Sequence, residues 1–222
     1  MELSKNTPLA WMKAYSDRLL GFLKEKVQTR CDVLHMDELF LKMCGGFHYI
    51  WDSICKDTRF AFWFLAPNRT KEYAKRLMQM SAHPSEKLIT DGAFSYIMPI
   101  KEWYGLRFYY MKYHRCESFE DKKHNNMVER LQNTLRRYLH PKRGFYSCKT
   151  GNMFMDFLWI YYNFVRNHMA IGCTPGEKAG LVCFFELRRE SERLLKLIEL
   201  SLFCFYFTVV GRRFNWILVH QP

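Results

Sequence analysis

Apolar residues fall along this chain in two alternating textures, short dense runs and longer stretches spaced by three and four. The dense runs come first, from Val33 to Lys42, Phe47 to Cys55 and Arg59 to Leu65, separated only by Cys44-Gly45-Gly46 and Lys56-Asp57-Thr58. Runs so rich in aromatic and branched residues, joined by short turn-forming segments, predict three antiparallel strands in a meander. Pro67 to Thr70 ends the meander, and Asn68 or Thr70 is the predicted cap of a helix to about Met80, with Tyr73, Ala74, Leu77 and Met78 facing inward. Lys87 to Thr90 reads as a brief strand stopped at Asp91-Gly92, then a helix to about Trp103, then a strand from Leu106 to Tyr113. Strand, helix and strand in succession predict a parallel extension of the sheet. Asn125-Asn126 caps a predicted helix with Val128, Leu131, Leu135 and Tyr138 as its buried stripe, and a long aromatic helix is expected from about Asn152 to His168.

The expected fold class is therefore α/β: a mixed sheet, in which a three-stranded antiparallel meander is extended by parallel strands, flanked by helices. Residues 29–181 form the predicted central domain. Before it, residues 1–28 carry Leu9, Trp11, Met12, Tyr15, Leu19, Leu20 and Leu23 at helical spacing among basic residues. After it, residues 182–222 combine a charged helix, Glu186 to Glu199, with an apolar run and a basic aromatic tail.

Composition excludes a disordered tail, since 49% of the 222 residues are hydrophobic and 25% charged. The 34 Lys and Arg against 22 Asp and Glu leave a formal charge of +12, which favours a polyanionic partner. Nucleic acid leads, with an anionic membrane surface second. The most apolar run, Leu200 to Val210, is eleven residues long, against the ~20 that a spanning helix needs. No signal peptide is discernible at the start, and the eight cysteines show no C-x-x-C pair. A reduced cytoplasmic protein without a membrane segment is the expectation.

Three acids stand out against this background. Asp37 lies within the first strand, Asp91 ends the fourth, and Glu129 lies on the helix after Asn125-Asn126. In a sheet of the predicted kind the middle of strand one lies beside the end of strand four, so Asp37 and Asp91 are expected to meet, with Glu129 supplied by a helix packed above them. Oxygen-only ligands suit Mg²⁺ or Mn²⁺. Two such ions ~4 Å apart stabilise both the attacking and the leaving oxygen of a phosphodiester. Glu38, next to Asp37, is expected on the opposite side of the strand as a salt-bridge or surface residue. Lys122, Lys123, Arg130, Arg136, Arg137, Lys142 and Arg143 surround Glu129 in sequence, where a DNA backbone would approach a negative site. His35, His124 and His168 lack partners at metal-site spacing and are assigned hydrogen-bonding or core roles, while Trp51, Trp63, Trp159 and Tyr161-Tyr162 are assigned to the core.

Several fragments, in order, carry a family resemblance: His35-Met-Asp-Glu38, Gly45-Gly46 with Tyr49, Ile89-Thr-Asp-Gly92, Asn125-Asn126 before Glu129-Arg130, Lys142-Arg-Gly-Phe145, and Tyr162-Asn-Phe-Val-Arg-Asn-His168 leading to Thr174-Pro175. From about Leu34 to Leu181 the chain resembles the DDE transposases of bacterial and archaeal insertion sequences, especially the group of insertion sequence six. The resemblance implies an RNase H-like fold and a catalytic, metal-binding triad at Asp37, Asp91 and Glu129 holding two Mg²⁺ or Mn²⁺ ions. It also implies a phosphate-binding Arg136 and homo-oligomers acting on transposon ends and target DNA at the nucleoid of a prokaryote. Lys142, Arg143, Lys122 and Lys123 are further expected DNA contacts. The chain departs from the family in having only the last helix of the usual N-terminal DNA reader, Gln132-Asn133 where many relatives carry His-Gly, and a tail unlike theirs. An N-terminally truncated copy is the expectation. The alternative function is a catalytically inactive DNA-binding remnant that regulates or inhibits transposition.

Overall fold

In the computed structural model, which describes residues 31–181 apart from 44, 82–83, 117–124, 141–144 and 146, plus positions 13, 14, 16, 17, 20, 27, 192 and 193, the dense runs become strands. They are β1 (Val33–Met43), β2 (Gly46–Cys55) and β3 (Ala61–Ala66), paired antiparallel from Leu34↔Cys55 to Met43↔Gly46 and from Tyr49↔Ala66 to Ile54↔Ala61. After helix α1 (Lys71–Met80), β4 (Lys87–Asp91) returns parallel to β1, from Val33↔Lys87 to Met36↔Thr90. A 3-10 turn (Phe94–Tyr96) and helices α2 (Ile97–Tyr104) and α3 (Leu106–Met111) lead to β5 (Tyr113–Cys116), parallel to β4. The sheet order is β3-β2-β1-β4-β5, a meander extended by two parallel strands. Helix α4 (Asn126–Leu139), helix α5 (Cys148–Ile160) with a π-helical turn (Tyr161–Val165), and the short α6 (Pro175–Lys178) complete the described fold. Among the described residues no helix is long and apolar enough to cross a membrane.

Both sheet faces are covered, which is why β1 and β2 read as nearly continuous apolar runs. On one face Trp51, fully buried, lies against the rings of Tyr73 and Tyr96 at 6.3 and 5.7 Å. On the other, Phe60 meets Trp159 and Phe164 edge-on, and Trp63 donates its indole N–H to the Met155 carbonyl at 3.0 Å.

Four local expectations need correction. The run Leu106 to Met111 is helical rather than a strand, and β5 begins only at Tyr113. Gly105 at φ 85° ends α2 and starts α3, and the stacked rings of Tyr104 and Phe108, 4.2 Å apart, close one helical turn across that junction. Here aromatic packing overrides the strand propensity of the run. Thr70 occupies the cap position of α1 without a side-chain capping bond. Asn125 likewise precedes α4 without capping it, because its amide is engaged by β1. The aromatic helix starts earlier than expected, at Cys148 after the capping Ser147, whose hydroxyl accepts from Thr150 N at 3.2 Å, and its π-helical turn ends at Val165.

Thr174 does cap. Its hydroxyl accepts from Glu177 N at 3.1 Å while the Glu177 carboxylate accepts from Thr174 N at 2.8 Å, a reciprocal box at the start of α6. Thr174→Ala is expected to remove about 1 kcal/mol and to lower the thermal midpoint by about 2–4 °C, as read by circular dichroism.

Candidate active site

The pairing of β4 with β1 stops at Met36↔Thr90, so past that point the flank of β1 is open. Asp91, the last residue of β4, stands there with its side chain 38% exposed, and its Oδ1 accepts from Ala93 N at 3.1 Å. Asp37 follows on β1, half-buried, its Oδ1 accepting from Glu38 N at 2.8 Å. One carboxylate oxygen from each of Asp37, Glu38 and Asp91 lies within 4.8 Å of the others.

Glu38 leaves β1 on the face opposite Asp37, as strand alternation requires: it registers with Trp51, whereas Asp37 registers with Asp52. The expectation that it is a salt-bridge residue holds, for its Oε2 accepts from Arg69 at 3.1 Å, and Ser95 Oγ lies 3.5 Å from its Oε1. It is not a surface residue, however, since its side chain is 1% exposed. Beyond the last β4 pair no strand separates the two faces, and a glutamate side chain is long enough to reach the acids around the open flank. Arg69, from the loop after β3, also lies 3.9 Å from Asp91 Oδ2.

Burial of the Asp37 carboxyl, reinforced by the charge of Asp91, raises its pKa to about 6, against the opposing bonds from Glu38 N–H and Gln132. Burial likewise raises Glu38 to about 7, with Asp91 and Asp37 adding to it and Arg69 opposing. Asp52, fully buried, is pushed well above the usual carboxylate range by burial and by Asp37. Its Oδ1 has no hydrogen-bond partner, while its Oδ2 accepts from Gln132 Nε2 at 3.4 Å. Acids that crowd so closely favour a hard divalent cation among them, and their oxygen-only donor set is the one that Mg²⁺ or Mn²⁺ takes.

Helix α4 is bolted to β1 immediately before Asp37. Asn125 Oδ1 pairs with His35 Nδ1 and its Nδ2 donates to the Met36 carbonyl, both at 3.1 Å. Gln132, buried, then reaches Asp37 and Asp52. Glu129 lies three residues before Gln132 in the first turn and Arg136 four after it, so helical spacing sets all three on one side of α4. Glu129 is exposed and its carboxylate is not one of the three grouped oxygens. Arg136 is exposed, donates to Asn133 Oδ1 at 3.0 Å, and its charge is felt at Asp52. Lys122, Lys123, Lys142, Arg143 and His124 lie outside the described residues. His35 has the hydrogen-bonding role expected of it.

Sequence reasoning missed Asp52, Gln132 and Arg69. Asp52 was detectable, as an acid in the middle of the apolar run Tyr49 to Cys55; Arg69, on a loop, carried no pattern that marks it.

A protein-family model described as a DDE domain matches residues 31–168. No curated protein matches the sequence. Among solved structures, the catalytic core domain of BIV integrase aligns with TM-score 0.50 at 16% identity, covering 67% of this chain and 93% of that one. The simian T-cell lymphotropic virus intasome, solved with PP2A regulatory subunit B56 gamma, gives 0.51 at 10% identity over 70% of this chain and 56% of that one. The HTLV-2 integrase catalytic core, in complex with magnesium in a trimeric form, gives 0.49 at 15%, over 69% and 98%. Likeness at such identities is one of fold, and together with the sheet order it makes the architecture RNase H-like.

Proposed function

From the membership of this chain in the DDE transposase family, we propose that it performs metal-dependent DNA strand cleavage and strand transfer during transposition, within the group that resembles insertion sequence six. The observation that carries this reading is the meeting of Asp37 and Asp91, distant in sequence, at the open flank of β1. Mg²⁺ or Mn²⁺ bound there, as one or two ions, supplies Lewis-acid stabilisation of the phosphate and lowers the pKa of a bound water or hydroxyl. Asp37 and Asp91 hold the cation, and Glu129 completes the set from α4. Arg136 with Lys122, Lys123, Lys142 and Arg143 contacts the DNA backbone of the transposon ends and the target, in line with the net charge of +12. Asn125 and Gln132 tie α4, the helix from which Glu129 would reach the cation, to β1 and β2. The protein works as a homo-oligomer that pairs two DNA ends, and a DNA substrate places it with the nucleoid in a prokaryotic cytoplasm.

The test is incubation with supercoiled plasmid. Open circles are expected with Mn²⁺ or Mg²⁺ and none with chelator. Tight DNA binding with no nicking under either ion would overturn the enzymatic reading in favour of an inactive, regulatory DNA-binding protein.

A further inference from the structure

Beside the acids lies an open recess of about 370 Å³ lined by Arg69, Ala93, Phe94 and Ser95. We infer that this recess receives a single nucleobase, unstacked from the DNA strand next to the phosphate that is cut, with Phe94 as its stacking platform. The inference rests on the transposase reading above and adds to it a subsite for the base.

Every other lining residue is tied to the acids. Arg69 bonds Glu38 and lies 3.9 Å from Asp91, Ser95 lies 3.5 Å from Glu38, and Ala93 N is held by Asp91 Oδ1 at 3.1 Å. The recess and the acids therefore form one continuous surface. Phe94 is 78% exposed, so one face of its ring is open to solvent and free to take a stacking partner. Its setting is nonetheless fixed. The Arg115 guanidinium lies 4.9 Å from the ring centroid, and Arg115 itself donates two N–H groups to the Gly92 carbonyl, in the turn that follows Asp91. A ring supported from one side and open to water is a platform for another flat, apolar face.

Chemistry selects the occupant. A nucleobase is neutral, offers a π-face to Phe94, and presents acceptor atoms to the Arg69 guanidinium and the Ser95 hydroxyl that line the recess. A base inside a duplex has both faces covered by its neighbours, so only one that has left the stack fits.

The experiment compares wild type, Phe94→Ala and Phe94→Trp for binding to labelled duplexes in Ca²⁺, by fluorescence anisotropy. The duplexes end in a fully paired step, in an unpaired nucleotide, or in an unpaired abasic nucleotide. The wild type is expected to bind the unpaired base roughly tenfold more tightly than the abasic end. Phe94→Ala, at an exposed position that tolerates truncation, is expected to bind the two alike while keeping its affinity for paired DNA, and Phe94→Trp to restore the difference. Equal discrimination by wild type and Phe94→Ala overturns the subsite and leaves the transposase reading intact. A changed oligomeric state in Phe94→Ala, read by sedimentation, overturns it too, by making Phe94 part of a protein interface. No binding of any duplex by the wild type overturns both.

Discussion

Asp37→Asn is expected to reduce metal-dependent plasmid nicking by a hundredfold or more while leaving the protein as stable as the wild type or more so. The loss follows because a cation ligand contributes several kcal/mol of charge stabilisation to the reaction, and each ~1.4 kcal/mol is tenfold in rate. The retained stability follows from electrostatics. Burial and Asp91 raise the folded pKa of Asp37 to about 6 from 3.8. A carboxyl whose folded pKa is raised favours the protonated form, so at neutral pH its charge works against the fold. Asparagine removes that charge, keeps an oxygen for the Glu38 N–H, and keeps the shape that packs beside Gln132. Nicking assays and thermal scans on metal-free protein check both parts. Undiminished nicking would remove Asp37 from the chemistry, and a midpoint several degrees below wild type would show that its role is structural.

Asn163→Leu is expected to have the opposite profile, a large loss of stability with no direct effect on the acids. Asn163 is fully buried in the π-helical turn and clamps the first residue of the outer strand: Oδ1 accepts from Ala61 N at 2.9 Å, and Nδ2 donates to the carbonyls of Ala61 at 2.9 Å and Trp159 at 3.2 Å. Leucine fills similar space but leaves the Ala61 N–H buried and unpaired; the Ala61 carbonyl keeps only the Trp159 indole N–H, at 2.8 Å. An orphaned buried donor and the lost bonds together cost about 3 kcal/mol, which lowers the midpoint by about 6–12 °C for a chain of this size. The readout is thermal unfolding followed by circular dichroism. A shift below about 2 °C would show that the clamp contributes little.

These two residues show how unevenly the molecule is legible. Asp37 was visible because a charge inside a strand run, set in a run of family-like fragments, has few structural reasons to be there. Asn163 sat in the fragment Tyr162 to His168 with nothing to mark it as a clamp, since its partners on β3 are about a hundred residues away.

The sequence alone determined the meander, because strands buried on both faces demand dense apolar runs and their turns demand Gly45-Gly46 and Asp57-Thr58. It also determined the mixed sheet, because a helix between two short apolar runs returns the chain in parallel, and the proximity of Asp37 to Asp91 followed from that topology. Only the tertiary structure decided that Leu106 to Met111 coils rather than extends, because the stacking of Phe108 on Tyr104 is a contact that propensity does not contain. It alone turned Asn125 from a helix cap into a bolt between α4 and β1, and Gln132 into a buried partner of Asp52. It also brought Glu38 around the open flank to the other acids. Alternation along a strand assigns a side chain to a face, but how far that side chain reaches depends on where the neighbouring strand stops, and that is settled by packing across the whole sheet.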